Sequence, residues 1–112
     1  MDNCIFCKII AGEIPSNKVY EDDRILCFRD INPQAEVHAL VVPKEHICCA
    51  NAINADNSAV VAYIFEKIPE ITKLLGVTDY RIINNCGEDA GQTVMHLHFH
   101  ILSGSNLGER LV

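Results

Sequence analysis

The sequence predicts an α+β fold in which an antiparallel sheet of about five strands packs with one long and one short helix. Two observations support this prediction. Strand-like segments occur in groups before and after one long helical pattern, and the chain shows no alternating strand–helix–strand units. One long helix covers only one face of such a sheet well, so the other face or a sheet edge offers a dimer surface.

Five segments have the composition of strands. They occupy residues 19–20, 25–28, 37–42, 80–84 and 93–102. The first two flank a polar group and predict a β-hairpin, and Pro43 closes the third. Residues 86–92 contain two glycines and two acidic residues, which indicates a loop, and the polar tail from residue 103 is predicted to be irregular.

Two segments have helical patterns. Residues 4–11 are mostly apolar and end at Gly12, which is typical of a short helix with a glycine C-cap. The longer pattern covers residues 57–75, and Gly76 ends it. Its apolar residues recur at spacings of three and four and share one face: Val60, Val61, Ile64, Phe65, Ile68, Ile71, Leu74 and Leu75. Pro69 lies inside this pattern and predicts a kink or a break.

Length and charge restrict the class of protein. The chain has 112 residues, so we expect residues 1–112 to form a single domain. Nine basic and 15 acidic residues give a net charge of −6, which argues against nucleic acid or an anionic membrane as partner. The sequence contains no apolar run of the roughly 18–20 residues that a membrane span needs.

The first residues lack the basic and apolar regions of a signal peptide, so a cytoplasmic protein is expected. In that reducing compartment the six cysteines are better interpreted as thiols or metal ligands than as disulfides.

Three histidines alternate with apolar residues in the last strand pattern. On a strand, His96, His98 and His100 share one face, about 6.6–6.8 Å apart, while Met95, Leu97, Phe99 and Ile101 face the core. All three rings can hardly bind one ion, because they span about 13 Å. A polar face with incidental metal affinity is the simpler alternative, and the large apolar neighbours argue against it.

The loop before this strand favours a pocket for an anion. Gly87, Gly91, Gln92 and Thr93 offer backbone N–H groups and a hydroxyl, which are the groups that bind phosphate oxygens.

The pattern His96-x-His98-x-His100 followed by Ile101-Leu102 resembles the signature of the histidine triad (HIT) family of nucleotide hydrolases and transferases. Three other segments also resemble the family: residues 4–15 its N-terminal segment, residues 30–46 its central strand region, and residues 85–93 its phosphate loop. Because these motifs occur in order over nearly the whole chain, the resemblance implies a HIT-like fold.

The resemblance also implies a mechanism. His98 is the nucleophile that attacks the α-phosphorus of a purine nucleotide, and water then releases a nucleoside monophosphate from the nucleotidyl-histidine. His100 and Thr93 contact the α-phosphate and assist the leaving group, and His38 holds His100 in place.

The nucleotide site implied by the resemblance contains further residues. Asp30 contacts the ribose, Asn85 lies near ribose and phosphate, and Gly91, Gln92 and Thr93 form the phosphate loop together with His98 and His100. The residues alone leave simpler roles open. Asp30 is also placed to cap a turn beside Asn32-Pro33, Asn85 to cap its own loop, and Thr93 to be an ordinary strand residue.

Cys4 and Cys7 have the spacing of half a zinc site. Alone, this spacing fits a redox pair or two packed thiols equally well. His46 and His96 would complete a Cys₂His₂ set, and the resemblance supports that set because some family members bind zinc with it. We therefore expect a structural zinc ion and no organic cofactor. Cys27 is predicted to lie in the core, and Cys48, Cys49 and Cys86 have no assigned role.

Within the family, the N-terminal segment and the length favour the Hint-like branch, an adenosine 5′-monophosphoramidase-like hydrolase that cleaves P–N bonds of nucleoside 5′-phosphoramidates. The alternatives are a Fhit-like hydrolase of dinucleoside polyphosphates, whose phosphate loop is similar, and a non-catalytic nucleotide- or zinc-binding interaction module. The tail lacks the aromatic residues of animal Hint proteins, which leaves the leaving-group preference open. The resemblance also implies a homodimer that joins two sheets into one.

Overall fold

Five strands form one antiparallel sheet, as predicted. The computed structural model describes residues 3–105 and 107–109. The strands are β1 (Lys18–Glu21), β2 (Ile25–Arg29), β3 (Val37–Pro43), β4 (Arg81–Ile83) and β5 (Phe99–Ser103). Their spatial order is β1-β2-β3-β5-β4, and each neighbouring pair is antiparallel. The predicted hairpin is β1–β2.

Two α-helices accompany the sheet. The short helix α1 (Ile5–Ile10) is followed by Gly12, whose φ of 81° lies in the left-handed region that glycine tolerates best. The long helix α2 (Ser58–Leu75) ends at Gly76, with φ 75°. Both glycine-terminated helix ends are confirmed.

Of the predicted kink or break at Pro69, the break is wrong, because helix α2 continues through this residue. Proline in a helix costs about 3 kcal/mol relative to alanine. Ile64, Ile68 and Ile71 lie on both sides of it and are at most 1% exposed. Each buried isoleucine contributes about 1.5–3 kcal/mol. Burial of the continuous apolar face therefore outweighs the loss of one helical hydrogen bond.

The sheet separates two apolar clusters. The larger cluster lies between α2 and the sheet and includes Cys27, as predicted. The smaller one lies around α1 and contains Phe6, Ile9, Leu26, Phe28, Leu40 and Val42. Helix α1 therefore covers part of the face that the sequence left uncovered, and this second face carries the histidines.

The last strand begins later than predicted, at Phe99 rather than Thr93. Before it, the N–H of Leu97 donates to the carbonyl of Ile47 at 2.6 Å instead of joining the sheet. Leu97, Phe99 and Ile101 are buried as predicted, but Met95 is 42% exposed, so its core assignment is wrong. It lies in the irregular segment, where strand alternation does not apply.

Within the described residues no helix combines the length and apolar character needed to cross a membrane. Of the predicted irregular tail, Ser103 belongs to β5, and residues 106 and 110–112 lie outside the described part of the chain.

Candidate active site and metal-ligand cluster

An open pocket of about 280 Å³ lies on the α1 side of the sheet. Its walls come from α1, residues 14–16, the end of β2, and the segment that leads into β5. Most lining side chains are apolar, and the polar ones include Asp30, Thr93, His98 and His100. Four residues that the sequence analysis singled out separately thus meet at one pocket.

His98 has a defined tautomer. Its Nδ1 lies 2.7 Å from the carbonyl oxygen of His96. Because a carbonyl only accepts, Nδ1 carries the proton and Nε2 carries the lone pair. Burial lowers the pKa of His98 despite the hydrogen bond to His96 and the charge of Asp30, which raise it. His98 is therefore a neutral imidazole near pH 7, with an unprotonated nitrogen.

A chain of hydrogen bonds, which we call the histidine relay, also orients His100. The backbone N–H of Gln34 donates to His38 Nδ1 at 3.0 Å, so the proton of neutral His38 lies on Nε2. That nitrogen is 2.9 Å from His100 Nδ1 and donates to it. The proton of His100 therefore lies on Nε2, and this group is a donor.

Both relay histidines are neutral near pH 7. Burial lowers the pKa of His38, although the nearby Asp30 carboxylate raises it. Burial, followed by the charges of His98 and His38, lowers the pKa of His100 to about 4. His98 and His100 thus present one imidazole acceptor and one imidazole donor to the pocket, and neither ring carries a formal positive charge; the charged residues that line the pocket are Arg29 and Asp30.

Asp30 combines the turn-capping role with a position in the pocket. Its Oδ1 accepts from the backbone N–H of Asn32 at 2.8 Å, and its Oδ2 lies 3.5 Å from His38 Nε2. Asp30 therefore does cap the turn, which was the simpler alternative in the sequence analysis. The same hydrogen bond fixes its carboxylate at the pocket wall.

Gln92 holds the phosphate loop together. Its side chain is 2% exposed and makes three hydrogen bonds. Oε1 accepts from the Gly87 N–H at 2.9 Å, and Nε2 donates to the carbonyls of Cys48 at 2.8 Å and Val94 at 3.0 Å. The oxygen and nitrogen of this side chain are thus used in hydrogen bonds that shape the loop. Gln92 can therefore act in nucleotide binding, its predicted role, through the shape of the loop.

The other residues predicted for the phosphate loop are Asn85, Gly91 and Thr93. Gly91 has φ 95°, and a Cβ there would lie 3.6 Å from Asn85 Nδ2, so Asn85 packs against the glycine turn. The backbone N–H of Gly91 is already bonded to the Glu88 carbonyl at 3.0 Å. Thr93 is exposed at the pocket rim, where its hydroxyl is accessible.

The four predicted metal ligands form one cluster. The ligand atoms of Cys4, Cys7, His46 and His96 all lie within 4.8 Å of one another. His96 Nδ1 is 3.3 Å from Cys4 Sγ and 3.6 Å from Cys7 Sγ, and His46 Nδ1 is 3.4 Å from Cys7 Sγ. Tetrahedral zinc with ordinary bond lengths separates a sulfur from a nitrogen ligand by about 3.5 Å. The cluster therefore fits a zinc ion.

The surroundings of the cluster favour metal binding. His96 Nε2 lies 2.8 Å from the Pro43 carbonyl and donates to it, which leaves Nδ1 unprotonated toward the cysteines. The Cys7 N–H donates to Cys4 Sγ at 3.2 Å. Burial and the neighbouring Cys4 thiol raise the pKa of Cys7 to about 11. A cation is thus required to hold this sulfur as a thiolate at neutral pH.

Sequence reasoning missed three groups that position the site. Asn84 Nδ2 donates to the His98 carbonyl at 2.8 Å, Gln34 starts the histidine relay, and Pro43 orients His96. Asn84 carried a weak signal, as a polar residue in a predicted strand. The other two act through backbone atoms, which residue type does not reveal.

Comparison with known proteins identifies the family of the chain. Residues 3–110 match the family described as scavenger mRNA decapping enzyme C-term binding. The chain is 46% identical to protein HitA of Neisseria gonorrhoeae, over 91% of this chain and 96% of that protein. It is 50% identical to an uncharacterized HIT-like protein of Helicobacter pylori, over 89% and 95%.

Two solved structures are similar to this chain over nearly its whole length. A HIT family hydrolase from Clostridium thermocellum gives a TM-score of 0.96 at 45% identity, covering 100% of this chain and 99% of that one. A histidine triad protein from Clostridium difficile gives 0.91 at 53% identity, covering 98% and 96%. The fold is therefore HIT-like, and the chain belongs to the histidine triad family. The names of the solved relatives support a hydrolase at the level of the family.

Proposed function

We propose that this protein is a nucleotide hydrolase that cleaves the P–N bond of nucleoside 5′-phosphoramidates through a covalent nucleotidyl-histidine at His98. The observation that carries the proposal is the 2.7 Å hydrogen bond from His98 Nδ1–H to the His96 carbonyl. It leaves the other ring nitrogen unprotonated in a pocket that also offers an imidazole donor. A neutral imidazole nucleophile needs no additional base.

In the first step, the His98 Nε2 lone pair attacks the α-phosphorus, and the bond from phosphorus to the leaving nitrogen breaks as that nitrogen takes up a proton from solvent, so that ammonia leaves. Positive charge develops on the imidazole, which strengthens the bond from Nδ1–H to the His96 carbonyl. The Nε2–H of His100 donates to a phosphoryl oxygen, and the Thr93 hydroxyl donates to the leaving nitrogen. Fixed donors of this kind stabilise the transition state without reorganisation.

In the second step, water attacks the phosphorus and gives one proton to solvent, and the bond from phosphorus to His98 Nε2 breaks, so the nucleoside monophosphate is released and the neutral imidazole is restored. Asp30 accepts from the ribose hydroxyls, and Asn85 contributes near ribose and phosphate. Side chains such as Ile9, Ile14 and Phe28 give the pocket an apolar lining suited to a purine.

A zinc ion in the cluster would have a structural role, because the four protein ligands leave no position for water. Cys4, Cys7, His46 and His96 would hold it. His96 links the two sites, since its ring belongs to the cluster and its carbonyl orients His98. No organic cofactor is needed for this chemistry.

The N-terminal segment supports the phosphoramidase over the Fhit-like alternative, since Ile5, Phe6, Ile14 and Pro15 help to build the pocket. The test is the release of AMP and ammonia from adenosine 5′-phosphoramidate. His98→Ala should abolish release while retaining fold and AMP binding. Quenching of the active enzyme with alkaline denaturant, which preserves a phosphorus–nitrogen bond to histidine, should yield an AMP adduct on the tryptic peptide of residues 82–110.

Unchanged turnover by His98→Ala would refute the mechanism. Equal or faster cleavage of diadenosine triphosphate would assign the protein to the Fhit-like class instead. AMP binding without turnover of either substrate would indicate an interaction module.

We further propose a cytoplasmic single domain that forms a homodimer through the free edge of β4, which ends the sheet order. Exposed apolar residues on α2 and just before β4, namely Phe65, Leu74 and Tyr80, support an interface there. Light scattering should give twice the mass of the chain, and a monomeric mass at micromolar concentration would contradict this assembly.

A further inference from the structure

Three cysteines outside the metal-ligand cluster lie on two neighbouring segments beside the phosphate loop. Cys48 Sγ and Cys49 Sγ are 3.0 Å apart, and Cys86 directly precedes Gly87, whose N–H is bonded to the Gln92 side chain that also bonds to Cys48. All three are free thiols, and they are exposed or partly exposed. The group is therefore accessible to small reagents, unlike Cys27, which is fully buried.

The two segments that carry these cysteines are joined by Gln92. Its Nε2 donates to the Cys48 carbonyl, and its Oε1 accepts from the N–H of Gly87, the residue after Cys86. Because the Gln92 side chain is buried, it holds the two segments side by side in one arrangement. The proximity of the two segments is thus built into the loop.

Of the two adjacent thiols, Cys49 has the lower pKa. The hydrogen bond from the Cys48 thiol is the largest effect and lowers the pKa of Cys49, and the Cys86 thiol acts in the same direction. The same contact raises the pKa of Cys48. Burial raises the pKa of Cys27 to about 12, which makes it inert by comparison.

Backbone geometry decides which second thiol completes a disulfide. Adjacent residues have Cα atoms about 3.8 Å apart. This distance is below the roughly 4.4–6.8 Å range of ordinary disulfides, so a bond between Cys48 and Cys49 would be strained. Cys86 belongs to a different segment and is free of this constraint.

We propose that Cys49 and Cys86 form a reversible disulfide by exchange with low-molecular-weight disulfides. The Cys49 thiolate attacks one sulfur of the small disulfide, which forms a mixed disulfide and releases one small thiolate. Cys86 then loses its proton to solvent and attacks the Cys49 sulfur, which releases the second small thiolate. Two protein thiols are oxidised, one small disulfide is reduced, and both released thiolates take up protons.

Peptide mapping of the intact protein treated with glutathione disulfide tests this inference. Trypsin places Cys4 and Cys7 in residues 1–8, Cys48 and Cys49 in residues 45–67, and Cys86 in residues 82–110. The expected product is a cross-link between residues 45–67 and 82–110, with two molecules of glutathione released per chain and Cys27 unmodified. Dithiothreitol should reverse it.

Variants separate the roles of the thiols. Cys86→Ser should retain one glutathione on Cys49, and Cys49→Ser should abolish the cross-link. The matched control Cys48→Ser should still form it, at a lower rate. A disulfide confined to residues 45–67, glutathione adducts without a cross-link, or no loss of thiols in the unmodified sequence would each overturn the assignment. None of these measurements depends on nucleotide hydrolysis.

Discussion

Replacing His38 with phenylalanine should lower kcat/KM for a nucleoside phosphoramidate about fivefold. The aromatic ring keeps the buried volume but removes both nitrogens of the histidine relay. His100 Nδ1 then loses the donor at 2.9 Å that assigns its proton to Nε2. One hydrogen bond contributes about 1 kcal/mol. At room temperature that energy corresponds to about a fivefold change in rate.

This loss in kcat/KM should be far smaller than the loss caused by removing His100, which is the donor itself. His100→Ala eliminates a group that contacts the developing charge, and such changes lower kcat by about 100–1000-fold. His38→Phe should also destabilise the fold by about 1–3 kcal/mol, because the Gln34 N–H and His100 Nδ1 lose their partners. Steady-state kinetics and thermal unfolding measure the two effects separately.

A tautomer measurement distinguishes the relay from a general packing role. In the unmodified protein, long-range ¹H–¹⁵N NMR should find the proton of His100 on Nε2, and in His38→Phe a mixture of both tautomers. Gln34→Ala is the matched control, because it retains the backbone N–H that bonds to His38, and it should leave tautomer and rate unchanged. A His38→Phe protein with the normal tautomer of His100 and a rate within twofold would refute the reasoning.

Three further predictions concern pH, metal and stability. Burial lowers the pKa of His98, whose unprotonated Nε2 is the proposed nucleophile, and Asp30 raises it, so Asp30→Asn should move the acid limb of kcat/KM to lower pH in a pH–rate profile. Cys7→Ser should lose bound zinc in metal analysis and unfold at lower temperature, since one ligand of the cluster is absent. Asp22→Asn should destabilise the fold by about 1–3 kcal/mol in thermal scans at pH 6, because this carboxylate accepts from Tyr20, Tyr63 and two backbone N–H groups. Burial alone would raise the pKa of Asp22, but these bonds lower it to about 2. The contribution of this carboxylate to the free energy of unfolding is therefore complete above about pH 3.9, the usual pKa of aspartate, and is lost as the pH falls through about 2. Equal melting temperatures of Asp22→Asn and the unmodified protein at pH 6 would contradict that account.

The order of helices and strands could be predicted from local patterns, because each pattern has one period and a clear end. The glycines after α1 and α2 and the paired strands β1 and β2 are examples. The two errors arose where tertiary contacts dominate. Pro69 stays in the helix because its apolar neighbours are buried, and the segment before Phe99 leaves the sheet to bond with Ile47.

The side chains of the candidate site were predictable as types, and the resemblance also implied the contact between His38 and His100. The particular backbone groups that orient the rings were not predictable. Cys4-x-x-Cys7 and the alternating histidines are visible in the chain, and the structure brings each set together. The orientation of their rings comes from the carbonyls of Pro43 and His96 and the N–H of Gln34. Every backbone presents such groups, so only the folded register reveals which of them is used.

His96 explains why the metal-ligand cluster and the pocket occur together. Its Nδ1 faces the two cysteines, its Nε2–H is bonded to Pro43, and its carbonyl accepts from His98. A metal ion bound to the ring would restrict rotation of the side chain, which the hydrogen bond to Pro43 restricts from the other side. The carbonyl that sets the tautomer of His98 would then belong to a residue held at two points. A cluster of four ligands remote from the reacting phosphorus can thus contribute to the orientation of the nucleophile without contacting the substrate.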